Sequence, residues 1–152
     1  MNDQLFKSAM SKFTTGVTVI TTKVDEKVHG MTANAFMSVS LEPKLILISV
    51  HEKASMNKYI KESGKFAVSI LAEGQEDMSM YFAGQIKEEK NIDFVQFNEM
   101  PVLENSIVHL TCDVANAHIE GDHTLFIGAV TDIAVNESNP LALYNGKYQK
   151  VN

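Results

Sequence analysis

The hydrophobic period of the chain changes several times, and each change marks a candidate element. From about Asp3 to Phe13 the apolar residues Leu5, Phe6, Ala9, Met10 and Phe13 share one helical face, with Asn2 or Asp3 available as the N-terminal cap. After Gly16 the pattern is that of strands. Val17 to Val24 and Val28 to Phe36, joined by the charged turn Asp25-Glu26-Lys27, predict a hairpin. The unbroken apolar run Leu45 to Val50, bounded by Pro43 and by His51-Glu52-Lys53, predicts a central strand. Two short helices, roughly Ser55 to Glu62 and Glu76 to Phe82, then flank a strand over Phe66 to Leu71.

Residues 84–104 are polar and poorly periodic, with Lys87-Glu88-Glu89-Lys90 reading as solvated and Phe94, Phe97 and Met100 as anchors. A long excursion is expected there, either a surface loop or an arm beside a site or partner. Two long strands, Ile107 to Ile119 and Thr124 to Val135, meet at the turn Gly121-Asp122-His123, and a last segment covers Pro140 to Val151. Six or seven antiparallel strands with short flanking helices make a mainly β (α+β) chain. Closure into a β-barrel is the economical way to remove its exposed edges.

At 152 residues one domain, 1–152, accounts for the chain. The formal net charge of −6 argues against a nucleic-acid partner, whose phosphates call for a basic surplus. No apolar run approaches the roughly 18 residues of a membrane span, and the N-terminus lacks a signal-peptide pattern, so no membrane association and a cytoplasmic location are expected. Cys112, between Leu110 and Val114, reads as a small buried hydrophobe. The five histidines fall into no zinc-site spacing, so no metal is expected.

Three constellations carry candidate chemistry. In Gly30 to Pro43, Thr32, Asn34, Ser38 and Ser40 recur at period two opposite Met31, Ala33, Ala35, Met37 and Val39. This predicts a polar, uncharged strand face suited to a planar hydrogen-bonding ligand, or else a Ser/Thr-rich exposed strand bonding its own turns. Lys53 and Ser55 stand where a helix begins, which offers free N–H groups to a phosphate or is an ordinary cap beside a solvated lysine. His123 lies at a polar turn set against a core strand, a place for function or for turn stabilisation. No nucleophile or acid–base set emerges.

Taken in order, the blocks Phe13-Thr-Thr-Gly-Val-Thr-Val-Ile-Thr-Thr22, Gly30 to Leu41, Phe66 to Leu71, Phe82-Ala-Gly84, Gly121 to Gly128 and Gly146-Lys-Tyr148 resemble the flavin reductase-like proteins with an FMN-binding split barrel, over nearly the whole chain. The resemblance implies a homodimeric split barrel in which NADH or NADPH passes hydride to N5 of FMN or FAD, held tightly or exchanged, with a monooxygenase or other electron acceptor downstream. It implies that Thr32, Ala33, Asn34, Ala35, Phe36, Ser38 and Val39 line the isoalloxazine and ribityl chain. Lys53, Ala54 and Ser55 would meet the phosphate with Tyr59 and Ile60 nearby, and His123 and Tyr148 would approach the nicotinamide or exposed flavin face. Such chemistry belongs to the cofactor, so the protein need only bind, orient and tune it. The chain departs from the family pattern at Lys147, where Arg is usual, and at Ala129, where Glu is frequent. An FMN-containing electron-transfer protein and a non-catalytic flavin-binding module remain alternatives.

Overall fold

The computed structural model describes residues 1–151. Its N-terminal helix α1 (Asp3–Ser11) is capped by Asn2, whose side-chain oxygen accepts the N–H groups of Gln4 and Leu5 at 2.7 and 3.3 Å. The helix stops at Ser11, short of the predicted Phe13, and none of its residues is buried. Its apolar face is real but is not covered by the described residues: Leu5 is 68% and Met10 57% exposed.

The main sheet is antiparallel and has seven strands, in agreement with the predicted six or seven. Its members are β2 (Thr18–Val24), β3 (Lys27–Ala33), β4 (Phe36–Ser40), β5 (Leu45–His51), β6 (Lys65–Ile70), β9 (Val108–Glu120) and β10 (His123–Val135). Between them lie β7 (Phe94–Phe97) and β8 (Met100–Leu103), a separate two-stranded ladder. The spatial order is β3-β2-β6-β9-β10-β5-β4. β3 and β4 are therefore neighbours in sequence yet outermost in space. The two residues between them, Asn34 and Ala35, can bridge only about 10 Å, so the sheet must curl until its edges approach at this end. That curled, incompletely laddered sheet is the split barrel.

Inside it, Ile20, Ile46, Ile48, Val50, Phe66, Val68, Leu110, Cys112 and Phe126 form the principal core. Met56 and Ile60 of α2 (Ser55–Ser63) close one end. A second core, around Val17, Val19, Leu71, Leu103 and Leu141, joins the barrel to a small sheet of β1 (Thr15–Gly16), β11 (Leu141–Tyr144) and β12 (Lys147–Lys150). α3 (Glu76–Phe82) packs there through Met78 and Phe82.

Two expectations are corrected. Val28 to Phe36 is not one strand: it breaks after Ala33, and Phe36 begins a new strand paired with β5. The 84–104 excursion is structured in its second half, because Met100, Val102 and Leu103 are buried and the Pro101 carbonyl accepts the Thr21 hydroxyl at 2.6 Å.

Candidate functional site

The break between β3 and β4 organises the site. The Ala35 carbonyl is held by Ser49 N–H at 3.2 Å and the Asn34 carbonyl by Phe36 N–H at 3.0 Å. The N–H groups of Asn34 and Ala35 donate to no acceptor among the described residues, and both residues are exposed. Free donors beside apolar side chains are what a flat heterocycle with carbonyl edges can use.

A cleft of about 580 Å³ opens at this link. Phe36, Met37, Leu47 and Ile70 form its apolar wall, and Phe13 to Thr18 forms another side. Thr15 stands in that second wall with its hydroxyl enclosed and unpartnered, the one such buried side-chain atom among the described residues. A smaller cleft of about 290 Å³ shares Val17 and Asn34 with the first and is lined further by Thr32, Ala33, Ser79 and Tyr148. Tyr148 on β12 shares a 2.7 Å hydrogen bond with the Ser79 hydroxyl, and the Thr32 hydroxyl donates to the Ser79 carbonyl at 2.6 Å. Ser79 thus fixes both side chains against α3.

β5 ends beside the same link. Ser49 contacts Ala35, two residues further on His51 faces His123 across the β5–β10 ladder, and α2 starts at Ser55. Glu52 N–H donates to the Asp122 carbonyl at 2.8 Å, so the two turns are tied together. Asn57, buried in α2, donates to the Val50 carbonyl at 3.2 Å and to the Thr124 hydroxyl at 3.0 Å, pinning the helix to both strands. Ala54 caps α2 with no side-chain bond, Lys53 and Ser55 are exposed, and the first turn carries no acidic residue. An anion can use that helix start. His123 lies 2.7 Å by Nδ1 from Asp122 Oδ1, whose carboxyl is held below the usual carboxylate range mainly by this hydrogen bond.

The sequence-selected residues separate into groups. Thr32, Ala33, Asn34, Ala35 and Phe36 converge on the clefts. Ser38 and Val39 are exposed further along β4 and line neither of them, because the break at Asn34-Ala35 and a register shift between Ser38 and Ser40 destroy the supposed single polar face. Thr32 points at α3 instead of presenting its hydroxyl outward. The Ile60 side chain is fully buried in the core and has no surface to offer a phosphate. Tyr59 stacks on His29 of β3 at 3.6 Å between ring centroids. His123 and Tyr148 share no hydrogen bond or ring contact; Tyr148 lines the smaller cleft, and His123 lines neither. Thr15, Val17, Leu47, Ile70 and Ser79 were not singled out as site residues, since only the fold brings them to the clefts.

The residues fit a flavin: apolar walls, unpaired N–H donors and an enclosed unpartnered hydroxyl meet at one link, and β5 leads from its contact with that link to a helix start without a side-chain cap. Residues 10–152 match the model of the flavin reductase like domain. The chain belongs to this family. Among flavin reductase-like relatives, an NADH-dependent flavin reductase of a Rhodococcus species is 42% identical over 95% of this chain and 84% of that protein. The reductase component of 4-hydroxyphenylacetate 3-monooxygenase of Thermus thermophilus is 36% identical over 93% of this chain and 91% of its own. The solved structure of the flavin reductase PheA2 in its native state superposes with a TM-score of 0.98 at 51% identity, covering 100% of this chain and 99% of that one.

Proposed function

We propose that this protein is an NADH-dependent flavin reductase that delivers reduced FMN or FAD to a separate monooxygenase. The observation that carries the reading is the pair of free N–H groups at Asn34 and Ala35, set between apolar walls at the seam of a flavin reductase-like barrel. When bound, the flavin accepts the hydride of the reduced nicotinamide, which is the whole of the redox chemistry.

The chain's own part is placement. Asn34 and Ala35 would donate to the carbonyl oxygens at the edge of the ring, where negative charge develops on reduction. Val17, Phe36, Leu47 and Ile70 cover it with apolar surface and keep water away. The Ala54 N–H is taken by the His51 carbonyl at 3.0 Å, so the Lys53 side chain and the N–H groups of Ser55 and Met56 that follow it would hold the phosphate. Tyr148, fixed by Ser79, and His123, fixed by Asp122, bound the space in which the nicotinamide lies. Orientation of this kind supplies rate without an acid–base pair.

The working unit is a homodimer. Leu5, Phe6 and Met10 on α1, with Phe13, Met37 and Val39, leave large apolar side chains in solvent, an arrangement that a second copy covers. Purified protein with FMN or FAD oxidises NADH well above the free-flavin background; absence of that stimulation refutes the reductase reading. The Phe6→Glu/Met10→Glu variant elutes as a monomer by light scattering while the parent elutes as a dimer. A monomeric parent overturns the dimer.

A further inference from the structure

At the end of the barrel where β5 runs out, one side chain touches both turns that frame the site. His51, the last residue of β5, stands opposite His123 in the ladder, with the two rings edge-on at 5.1 Å between centroids. Its Nδ1 accepts the Lys53 N–H at 3.0 Å. The ring hydrogen is therefore on Nε2, which faces Asp122 Oδ2 at 3.7 Å. The other carboxylate oxygen, Oδ1, accepts from His123 Nδ1 at 2.7 Å. Because a carboxylate can only accept, His123 carries its hydrogen on Nδ1, and its Nε2 stays available to a bound molecule. A continuous line of contacts runs from Lys53 through His51 and Asp122 to His123.

Resting on the reading of Lys53 as the phosphate end and His123 as the nicotinamide end, we infer that His51 is a positioning residue for both. Its Nδ1 shapes the approach to α2, and its Nε2 side steadies the carboxylate that orients His123. The two nitrogens serve different ends of the site. Asp122 is shared between two rings, and without His51 it is free to turn away from His123, since it lies in solvent with no other side-chain partner among the described residues. Backbone bonds alone fix the turn; the imidazole fixes the side chain.

The two nitrogens can be separated by substitution. In His51→Asn the shorter amide oxygen can still accept the Lys53 N–H, whereas nothing reaches Asp122. In His51→Gln the amide reaches toward Asp122 and the bond to Lys53 is lost. With FMN as the flavin, His51→Asn should raise the KM for NADH roughly three- to tenfold while kcat and the Kd for FMN stay within about twofold, as expected for loss of one solvent-screened polar contact. His51→Gln should restore the NADH KM and weaken FMN instead. Thermal melting and circular dichroism of each variant establish that it is folded, and the exposed position of the ring makes both substitutions tolerable. An NADH KM unchanged in His51→Asn, or a variant pair in which both constants move together, overturns the inference while leaving the reductase reading intact. A parent protein that does not oxidise NADH removes both.

Discussion

Gly128→Ala tests the packing that holds β10 and, with it, His123. Gly128 lies where the register of β10 against β9 slips, between Ile127 and Gly128. A Cβ there would come within 2.7 Å of Phe66 Cζ, 2.9 Å of Cys112 Cβ and 3.0 Å of Cys112 Sγ. Carbon atoms in good contact sit about 3.5 to 4.0 Å apart, so the neighbours must retreat by nearly an ångström. They have nowhere to go: Phe66 is 0% and Cys112 1% exposed. Overpacking of this kind costs about 1 to 3 kcal/mol, against which the reduced freedom of the unfolded chain returns about 0.4 to 1 kcal/mol. Mid-range values leave a net loss of about 1.3 kcal/mol, with an upper bound of about 2.6 kcal/mol, which corresponds to a fall in Tm of roughly 3 to 5 °C at the mid-range value for a chain of this size. Urea unfolding at one fixed protein concentration is the assay, because association of copies makes the midpoint depend on concentration. Phe66→Leu removes the Cζ atom, so the double variant should be less destabilised than the sum of the singles by about 1 kcal/mol. Wild-type stability in Gly128→Ala, or simple additivity in the double variant, would refute the assignment.

Three further outcomes follow from the site and core. His123→Ala should raise the NADH KM with little change in the FMN Kd, measured by flavin fluorescence quenching; unchanged turnover would remove His123 from the nicotinamide side. Burial, with Asp113 adding, pushes the Cys112 thiol up to about 12, so iodoacetamide at pH 8 should label it in urea and not in the native protein, and rapid native labelling would contradict its enclosure. The Asp122 carboxyl titrates lower when folded than unfolded. Its contribution is therefore complete above the unfolded value of about 3.9 and disappears as pH falls through the folded one, so Asp122→Asn should lower stability slightly at pH 7 and by progressively less as the medium is acidified below about pH 4.

The elements located best from the sequence are those with continuous burial, as in β2 and β6, or regular alternation, as in β5. β2, β5, β6, α2 and α3 fall within a residue or two of expectation, because Ile20, Ile48, Phe66 and Met56 answer to the principal core and Val19, Met78 and Phe82 to the second. α1 shows the reverse case: its apolar face at Leu5, Phe6 and Met10 was readable, but a face at helical spacing does not say whether its own chain or another covers it. In the 84–104 segment, Met100 and Phe97 signalled contact without signalling the β7–β8 hairpin, whose turn is made by Asn98 and Glu99 at positive φ rather than by glycine. Ser79 and His51 were not legible as site residues, since their importance arises from contacts with Tyr148, Thr32 and Asp122, far away in sequence.

The least legible feature, the break at Asn34 and Ala35, shapes the proposed site. Alternation of Thr32, Asn34 and Ser38 looks like one continuous strand, because a two-residue break preserves parity and leaves no trace in a period of two. In the fold the same two residues join the opposite edges of a seven-stranded sheet. An amide inside a ladder is consumed by its neighbour strand, whereas an amide that crosses from one edge to the other has no neighbour strand to face. The seam therefore produces free N–H donors as a consequence of topology, with no polar side chain required at those positions. That explains how Ala35 can belong to a binding site, and why a search for charged or nucleophilic residues finds none there. It also separates two kinds of substitution. A side-chain change at Asn34 alters the surface of the cleft, while a proline at Ala35 deletes a donor and, with it, a contact that no neighbouring side chain can replace.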